Sequence, residues 1–171
     1  MHRRPFIVGL AALAALPLAA QEMASGAGIA AGPDAPLSAL ERWEADPTTV
    51  FDASEVDLGD FQWIARPVVV FANTDRDPAF GRQVDLLAEA VDDLVARDVV
   101  LILDTDPDAL SDIRRQLRPR GFMLALLGKD GTVRQRKPAP WSVRELNRAI
   151  DAMPLRRQEL RDQRSFRSEG G

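Results

Sequence analysis

The chain has 171 residues, of which 46% are apolar and 28% are charged, and its formal net charge is −4. It contains no cysteine and no tyrosine, and its one histidine is His2 at the N-terminus. Dithiol redox chemistry, disulfides, structural zinc sites and imidazole-dependent nucleophilic catalysis are therefore excluded for the rest of the chain, because each needs a thiol or an imidazole.

The N-terminal segment has the pattern of a signal peptide. Arg3 and Arg4 precede an apolar run from Phe6 to Leu18, and small residues follow at the expected cut site. The run is shorter than the roughly 20 residues that a membrane-spanning helix needs. We therefore predict a signal peptide over residues 1–20, cleavage near Ala20, and a periplasmic or secreted product without stable membrane insertion. The arginine pair leaves general secretory and twin-arginine export both open.

Residues 21–57 are predicted to form a flexible acidic leader and lead-in. The first part is rich in Ala, Gly and Pro, and the second part carries scattered apolar residues among many acids. We expect the second part to pack on the edge of the core.

A β-α-β unit comes next. The apolar run Pro67–Ala72 is typical of a strand that is buried on both faces, and Val99–Leu103 has the same character. Asp77 followed by Pro78 predicts a helix start, and the apolar spacing extends that helix to about Arg97. Two such strands should be parallel with a right-handed crossover.

The remaining pattern is α-β-β-α. We predict a helix that opens at Asp106-Pro107, a strand Phe122–Leu127, a turn at 128–131, an edge strand 132–136, and a last helix from Ser142 to Pro154. The order β-α-β-α-β-β-α is that of a thioredoxin-like α/β fold with a mixed four-stranded sheet. We assign residues 58–160 to this domain and 161–171 to a basic disordered tail.

Three segments carry a family resemblance. They are Arg66–Phe71, Leu126–Gly131 and Ile150–Glu159. Together they resemble the domain of unknown function numbered 4174, which is found in exported bacterial proteins and is related to domains of extracellular-matrix proteins with sushi repeats. The resemblance implies a thioredoxin-like or peroxiredoxin-like fold, and it does not imply an enzymatic activity.

In thioredoxin-like enzymes the reactive cysteines lie between the first strand and the next helix, where the helix N-terminus lowers the thiol pKa. Here that degenerate dithiol segment is Asn73, Thr74, Asp75 and Arg76. Capping and turn formation explain these residue types. The alternative is a cysteine-independent enzyme that uses Asp75 and Asp77 beside Arg76, which would require a pocket that raises a carboxyl pKa.

No metal or cofactor is predicted. The segment 104–108 resembles the opening of a calcium loop, but Ala109 stands where glycine is needed and Arg115 stands where the bidentate Glu would be. A strand end and a helix cap explain its acids.

Basic residues in the second half are the candidate binding residues. Lys129 lies at a turn tip beside Arg136, and Arg156 and Arg157 begin an arginine-rich tail. Residues 21–110 hold 19 acidic and 5 basic residues, whereas 111–171 hold 7 acidic and 15 basic ones. This segregation predicts a salt-sensitive attraction, either within the monomer or between copies.

The sequence therefore predicts an exported, non-catalytic binding or scaffold module for an unknown protein or anionic ligand. Nucleic acid is not expected as a partner, because the exported chain is net acidic.

Overall fold

The structure, a computed structural model, describes residues 36–169. The predicted signal peptide, its cleavage site and residues 21–35 of the predicted leader lie outside this range. No helix within 36–169 has the length and apolar character needed to cross a membrane.

Five strands form one mixed sheet. They are β1 (Val50–Asp52), β2 (Arg66–Phe71), β3 (Val99–Asp104), β4 (Met123–Leu127) and β5 (Val133–Lys137), in the spatial order β1-β3-β2-β4-β5. Strands β1, β3 and β2 are parallel, whereas β4 is antiparallel to β2 and β5 is antiparallel to β4. The predicted thioredoxin-like α/β class is confirmed, but the predicted four strands omit β1.

Helices cover both faces of the sheet. On one face α1 (Ala39–Ala45) and α4 (Asp112–Leu117) bury Trp43, Ile113 and Leu117 against β2 and β3. The other face is covered by α2 (Pro78–Ala88), α3 (Val91–Val95) and α5 (Val143–Asp151). Central strand β2 is buried at every position, which is why its sequence from Pro67 to Phe71 is a continuous apolar run without alternation.

The lead-in is more regular than predicted. Ser38 caps α1 in a capping box with Glu41, and Phe51 of β1 is almost fully buried. Residues 38–55 thus contain a helix, a strand and a 3-10 turn that the sequence did not predict, and Trp43 and Phe51 pack in the core. The sequence contains the signal of this helix start, the Ser-x-x-Glu pattern before Trp43. The Trp43 ring packs edge-on against Phe61, with a centroid distance of 6.2 Å.

Two helix predictions need correction. The predicted helix from Pro78 to Arg97 is divided at Ala90, whose backbone leaves the helical region with φ −134° and ψ 35°. The helix predicted to open at Asp106 begins instead after Ser111. The Asp106 carboxylate accepts hydrogen bonds from the backbone N–H groups of Asp108 and Ala109, and so forms a local turn rather than a helix cap.

The C-terminal segment is helical where disorder was predicted. Pro154 does not end the chain's helical structure but occupies the first position of α6 (Pro154–Glu169). The predicted disordered tail, residues 161–171, is therefore wrong as far as Glu169. The first two turns of α6 contact the rest of the molecule, whereas every side chain from Arg161 to Ser168 is exposed.

Candidate binding surface

The two ends of the central strands carry different sets of polar and charged residues. At the C-terminal end of β2, residues 73–76 form the degenerate dithiol segment, and all four are exposed. The Thr74 hydroxyl donates to Asp75, and the Asp77 carboxylate accepts from the Ala79 N–H at 2.8 Å. Asp77 therefore caps α2 as the sequence predicts.

A buried ion pair lies beside this segment. Asp104, at the end of β3, is 3% exposed, and Arg114 of α4 is 7% exposed. The Arg114 Nε and Nη2 atoms donate to Asp104 Oδ1 at 2.9 and 2.6 Å, and Nη2 also donates to the Ala72 carbonyl. The Asp104 carboxylate accepts a further bond from Ser111. Sequence reasoning missed this pair, although Arg114 lies between the inward-facing Ile113 and Leu117.

The polar groups of this pair are used within the chain. Both polar groups are satisfied, and Arg114 also lies over the Phe71 ring at 5.5 Å. A cavity of about 250 Å³ beside β1 is lined by Asp75, Phe80 and Thr105 among others. Asp77 does not line it, because its carboxylate caps α2. Residues 36–169 contain no group of three or more carboxylates or other ligands that would hold a metal ion.

The opposite end of the sheet carries an ion cluster. Arg66, the first residue of β2, is fully buried, and its Nη2 donates to Glu159 Oε1 of α6 at 2.7 Å. Lys129 Nζ lies 2.8 Å from Asp98 Oδ2 and 3.2 Å from Glu159 Oε1. The predicted binding residue Lys129 is therefore held in ion pairs within the chain and lies on no open cationic surface.

This cluster joins the three segments that carry the family resemblance. Arg66, Lys129 and Glu159 come from the first, second and third segment, and the structure brings their charged groups together. Burial raises the pKa of the Glu159 carboxyl, but the hydrogen bonds and positive charges of Arg66 and Lys129 outweigh burial. They hold this pKa below its ordinary value of 4.5.

Of the other predicted binding residues, Arg156 is buried, whereas Arg136 and Arg157 are exposed. Arg156 is buried, and its Nη2 donates to the Ala96 carbonyl at 2.7 Å, while its Nη1 donates to Glu159. The exposed Arg136 donates from Nη1 to the Leu117 carbonyl. Arg157 is exposed and has no ion-pair partner among the described residues.

The outer face of α6 is strongly basic. Arg157, Arg161 and Arg164 follow each other at spacings of four and three residues, which places them on one side of a helix. Within the part of the chain that the structure describes, none of the three forms an ion pair. Arg167 is exposed on the same projecting half of the helix.

Comparisons with known proteins show which family this chain resembles. Residues 57–159 match the family described as "Domain of unknown function (DUF4174)". The coiled-coil domain-containing protein 80 of Danio rerio is 30% identical over an alignment of 139 residues, and the match covers 64% of this chain and 16% of that protein. The chain thus spans a small part of that relative.

Solved structures of peroxiredoxins are also similar. Thioredoxin peroxidase I of Plasmodium yoelii matches with 20% identity and a TM-score of 0.46, covering 57% of this chain and 77% of that one. The reduced 2-Cys peroxiredoxin of Plasmodium vivax matches with 17% identity and a TM-score of 0.49, covering 57% and 82%. The present chain has no cysteine, so it lacks the thiolate on which thiol chemistry depends.

Proposed function

The chain belongs to the DUF4174 family, and we propose that it works as a non-catalytic binding module whose α6 arginine face, Arg157, Arg161 and Arg164, holds an acidic protein partner. The observation that carries this proposal is the exposure of these arginines without ion-pair partners in the described range. Arginine is favoured at protein interfaces because its planar guanidinium pairs with carboxylates in a bidentate way.

The rest of the structure supports a rigid presentation of this face. The first turns of α6 are held by Glu159 and Arg156, which bind Arg66, Lys129 and the Ala96 carbonyl. The projecting half then lies free of its own domain. Such a helix leaves its arginine face open to a partner, and the charge of that face favours fast, salt-dependent association.

A catalytic role receives less support from the geometry. The helix N-terminus where a reactive group would lie is capped by Asp77, and the neighbouring Asp104 is paired with Arg114. Asp75 is exposed. The alternative of a cysteine-independent enzyme that uses Asp75 and Asp77 therefore has less support than a binding role.

We further propose that the protein acts outside the cytoplasm, as the N-terminal pattern predicts, and that its source is bacterial. Expression of the full chain in a Gram-negative host tests export. The expected result is a periplasmic product whose N-terminus, determined by mass spectrometry, lies near Gln21. Retention of Met1 on a cytoplasmic product would contradict it. The relation to domains of sushi-repeat proteins stays a prediction.

Binding to a defined polyanion tests the proposed face. Poly-L-glutamate is titrated into the protein and into Arg161→Glu/Arg164→Glu, with Arg144→Glu/Arg148→Glu on the exposed side of α5 as a control of equal charge change. The α6 variant should bind at least about tenfold more weakly, and the control should bind like the parent, since binding depends on this face. Equal weakening of both variants would mean that net charge alone is responsible.

A cross-linking experiment then identifies the partner. A photoreactive residue in place of Arg157 should cross-link one acidic periplasmic protein, and the same residue in place of Arg148 should not. Analytical ultracentrifugation of the same samples detects self-association, which the charge segregation also predicts. Failure of the Arg157 position to capture any partner across growth conditions would count against a binding role for α6.

A further inference from the structure

Trp63 has an unusual backbone and an unusual exposure. Its φ is 67°, in the left-handed region, and 64% of its surface is exposed. Bulky side chains rarely adopt this conformation, because Cβ crowds the following carbonyl oxygen. Its neighbours Phe61 and Ala65 are fully buried. The chain therefore turns the largest side chain of this segment outward between two core positions.

Hydrogen bonds fix this arrangement. The Trp63 N–H donates to the Lys129 carbonyl at 2.6 Å, which ties the segment to the turn after β4. The N–H groups of Ile64 and Ala65 both donate to the Phe61 carbonyl. Backbone strain that the surroundings maintain in this way is found preferentially at binding and catalytic sites.

A cavity of about 350 Å³ lies beside Trp63, between the turn after β4 and the first turns of α6. Its lining consists of Trp63, Lys129, Leu155, Gln158, Glu159 and Asp162. Lys129 shares the carboxylates of Asp98 and Glu159 with Arg66, and the lining itself holds one positive residue, Lys129, and two negative ones, Glu159 and Asp162. Asp162 is exposed, and its carboxylate forms no ion pair within residues 36–169. The unbalanced charge of the lining is therefore negative.

We infer that this cavity binds an arginine side chain of a partner polypeptide. The face of an indole ring attracts cations, and a planar guanidinium stacks on it while its edge remains free for hydrogen bonds. The Asp162 carboxylate is then the bidentate acceptor, and the Gln158 amide oxygen accepts a further N–H. Leu155 excludes water from one side. An anionic ligand would be repelled by the Asp162 carboxylate and would compete with two carboxylates for Lys129.

This site is separate from the arginine face of α6. The cavity residues Leu155, Glu159 and Asp162 are spaced by four and three residues on one side of the helix, whereas Arg157, Arg161 and Arg164 lie on the other. Each surface can therefore be removed without the other. A failure of polyglutamate binding would therefore not affect this inference. A failure of arginine binding in the cavity would likewise not affect the proposed function of the arginine face.

Nuclear magnetic resonance titration tests the inference with two matched peptides, acetyl-Gly-Arg-Gly-amide and acetyl-Gly-citrulline-Gly-amide. Citrulline has nearly the shape of arginine but no charge. The arginine peptide should shift the Trp63 indole N–H signal saturably, and the citrulline peptide should bind at least tenfold more weakly. Equal binding of both peptides would overturn the assignment to a cation.

Variants locate the binding. Trp63→Ala and Asp162→Asn should each weaken binding of the arginine peptide at least about fivefold, while Trp63→Phe, which keeps an aromatic face, should retain part of it. Asp108→Asn, an exposed acid at the other end of the sheet, is the control and should bind like the parent. Unchanged binding by both Trp63→Ala and Asp162→Asn would show that the peptide binds elsewhere.

Discussion

Arg66 Nη2 lies 2.7 Å from Glu159 Oε1, although the two residues are 93 positions apart in the chain. The guanidinium is fully buried at the start of the central strand, so it needs a counter-charge close by. Glu159 supplies that charge from α6. The pair therefore couples the position of the C-terminal helix to the stability of the sheet.

Replacing Glu159 should show the strength of this coupling. Glu159→Gln leaves the buried Arg66 and the neighbouring Lys129 with less compensating charge, and we expect a loss of about 2 kcal/mol in the free energy of unfolding. Urea denaturation measures it. Asp162→Asn, an exposed acid one turn further along, should change stability by less than about 0.5 kcal/mol. Equal effects of the two changes would show that the Arg66 pair is unimportant.

The same carboxylate should make stability depend on pH. The pKa of Glu159 is lower in the folded chain than its ordinary value of 4.5, so its ionised form favours folding. That contribution is complete above pH 4.5 and is lost as pH falls through the lowered native pKa. The stability difference between the parent and Glu159→Gln should therefore shrink on acidification below pH 4.5. A difference that stays constant or grows there would contradict the sign of the shift.

Because the Asp104–Arg114 pair is buried, we expect removal of one partner to destabilise the fold more than removal of both. Asp104→Asn leaves a guanidinium without its counter-charge and should destabilise the fold by about 3 kcal/mol, whereas the double change Asp104→Leu/Arg114→Met should cost much less. Thermal and urea unfolding of the single and double variants measure this non-additivity. Arg115→Met is the neighbouring control, since Arg115 is exposed. Additive costs in the double variant would mean that the pair is not a unit.

Local patterns explain which elements the sequence could predict. The buried runs of β2 and β3, the Asp77 cap of α2 and the Ser142 cap of α5 depend on neighbours within a few residues, and the structure contains all of them. The break at Ala90 could not be seen, because Glu89 and Ala90 are ordinary helix formers and the apolar spacing continues to Leu94.

Long-range pairs and backbone strain define the candidate sites, and neither has a local signature. The resemblance identified the segments that contain Arg66, Lys129 and Glu159, but not that their charges meet. Asp104 was assigned to a strand end and Arg114 to a helix, with no sign that the two form a buried ion pair. The exposure of Trp63 has no local signal either, because a large aromatic residue between apolar neighbours is more often buried than exposed.

Shortening α6 at two points separates its docked half from its free half. Deleting residues 161–171 removes side chains that are exposed from Arg161 to Ser168, and the free energy of unfolding should change by less than about 0.5 kcal/mol. Deleting residues 154–171 also removes Arg156 and Glu159, and should cost more than Glu159→Gln alone. Comparable stability of both truncated forms would show that α6 is not anchored through Glu159.

Changing Trp63 to glycine and to alanine distinguishes backbone strain from side-chain contacts. Both changes remove the indole, but only glycine adopts a φ of 67° without a steric cost. We expect Trp63→Gly to be more stable than Trp63→Ala by about 1 kcal/mol, the cost of the left-handed conformation for a residue with a Cβ. Matched urea unfolding curves with equal slopes give the difference directly. If alanine proves as stable as glycine, the segment relaxes once the indole is gone, and the strain at Trp63 is imposed by contacts of its own side chain.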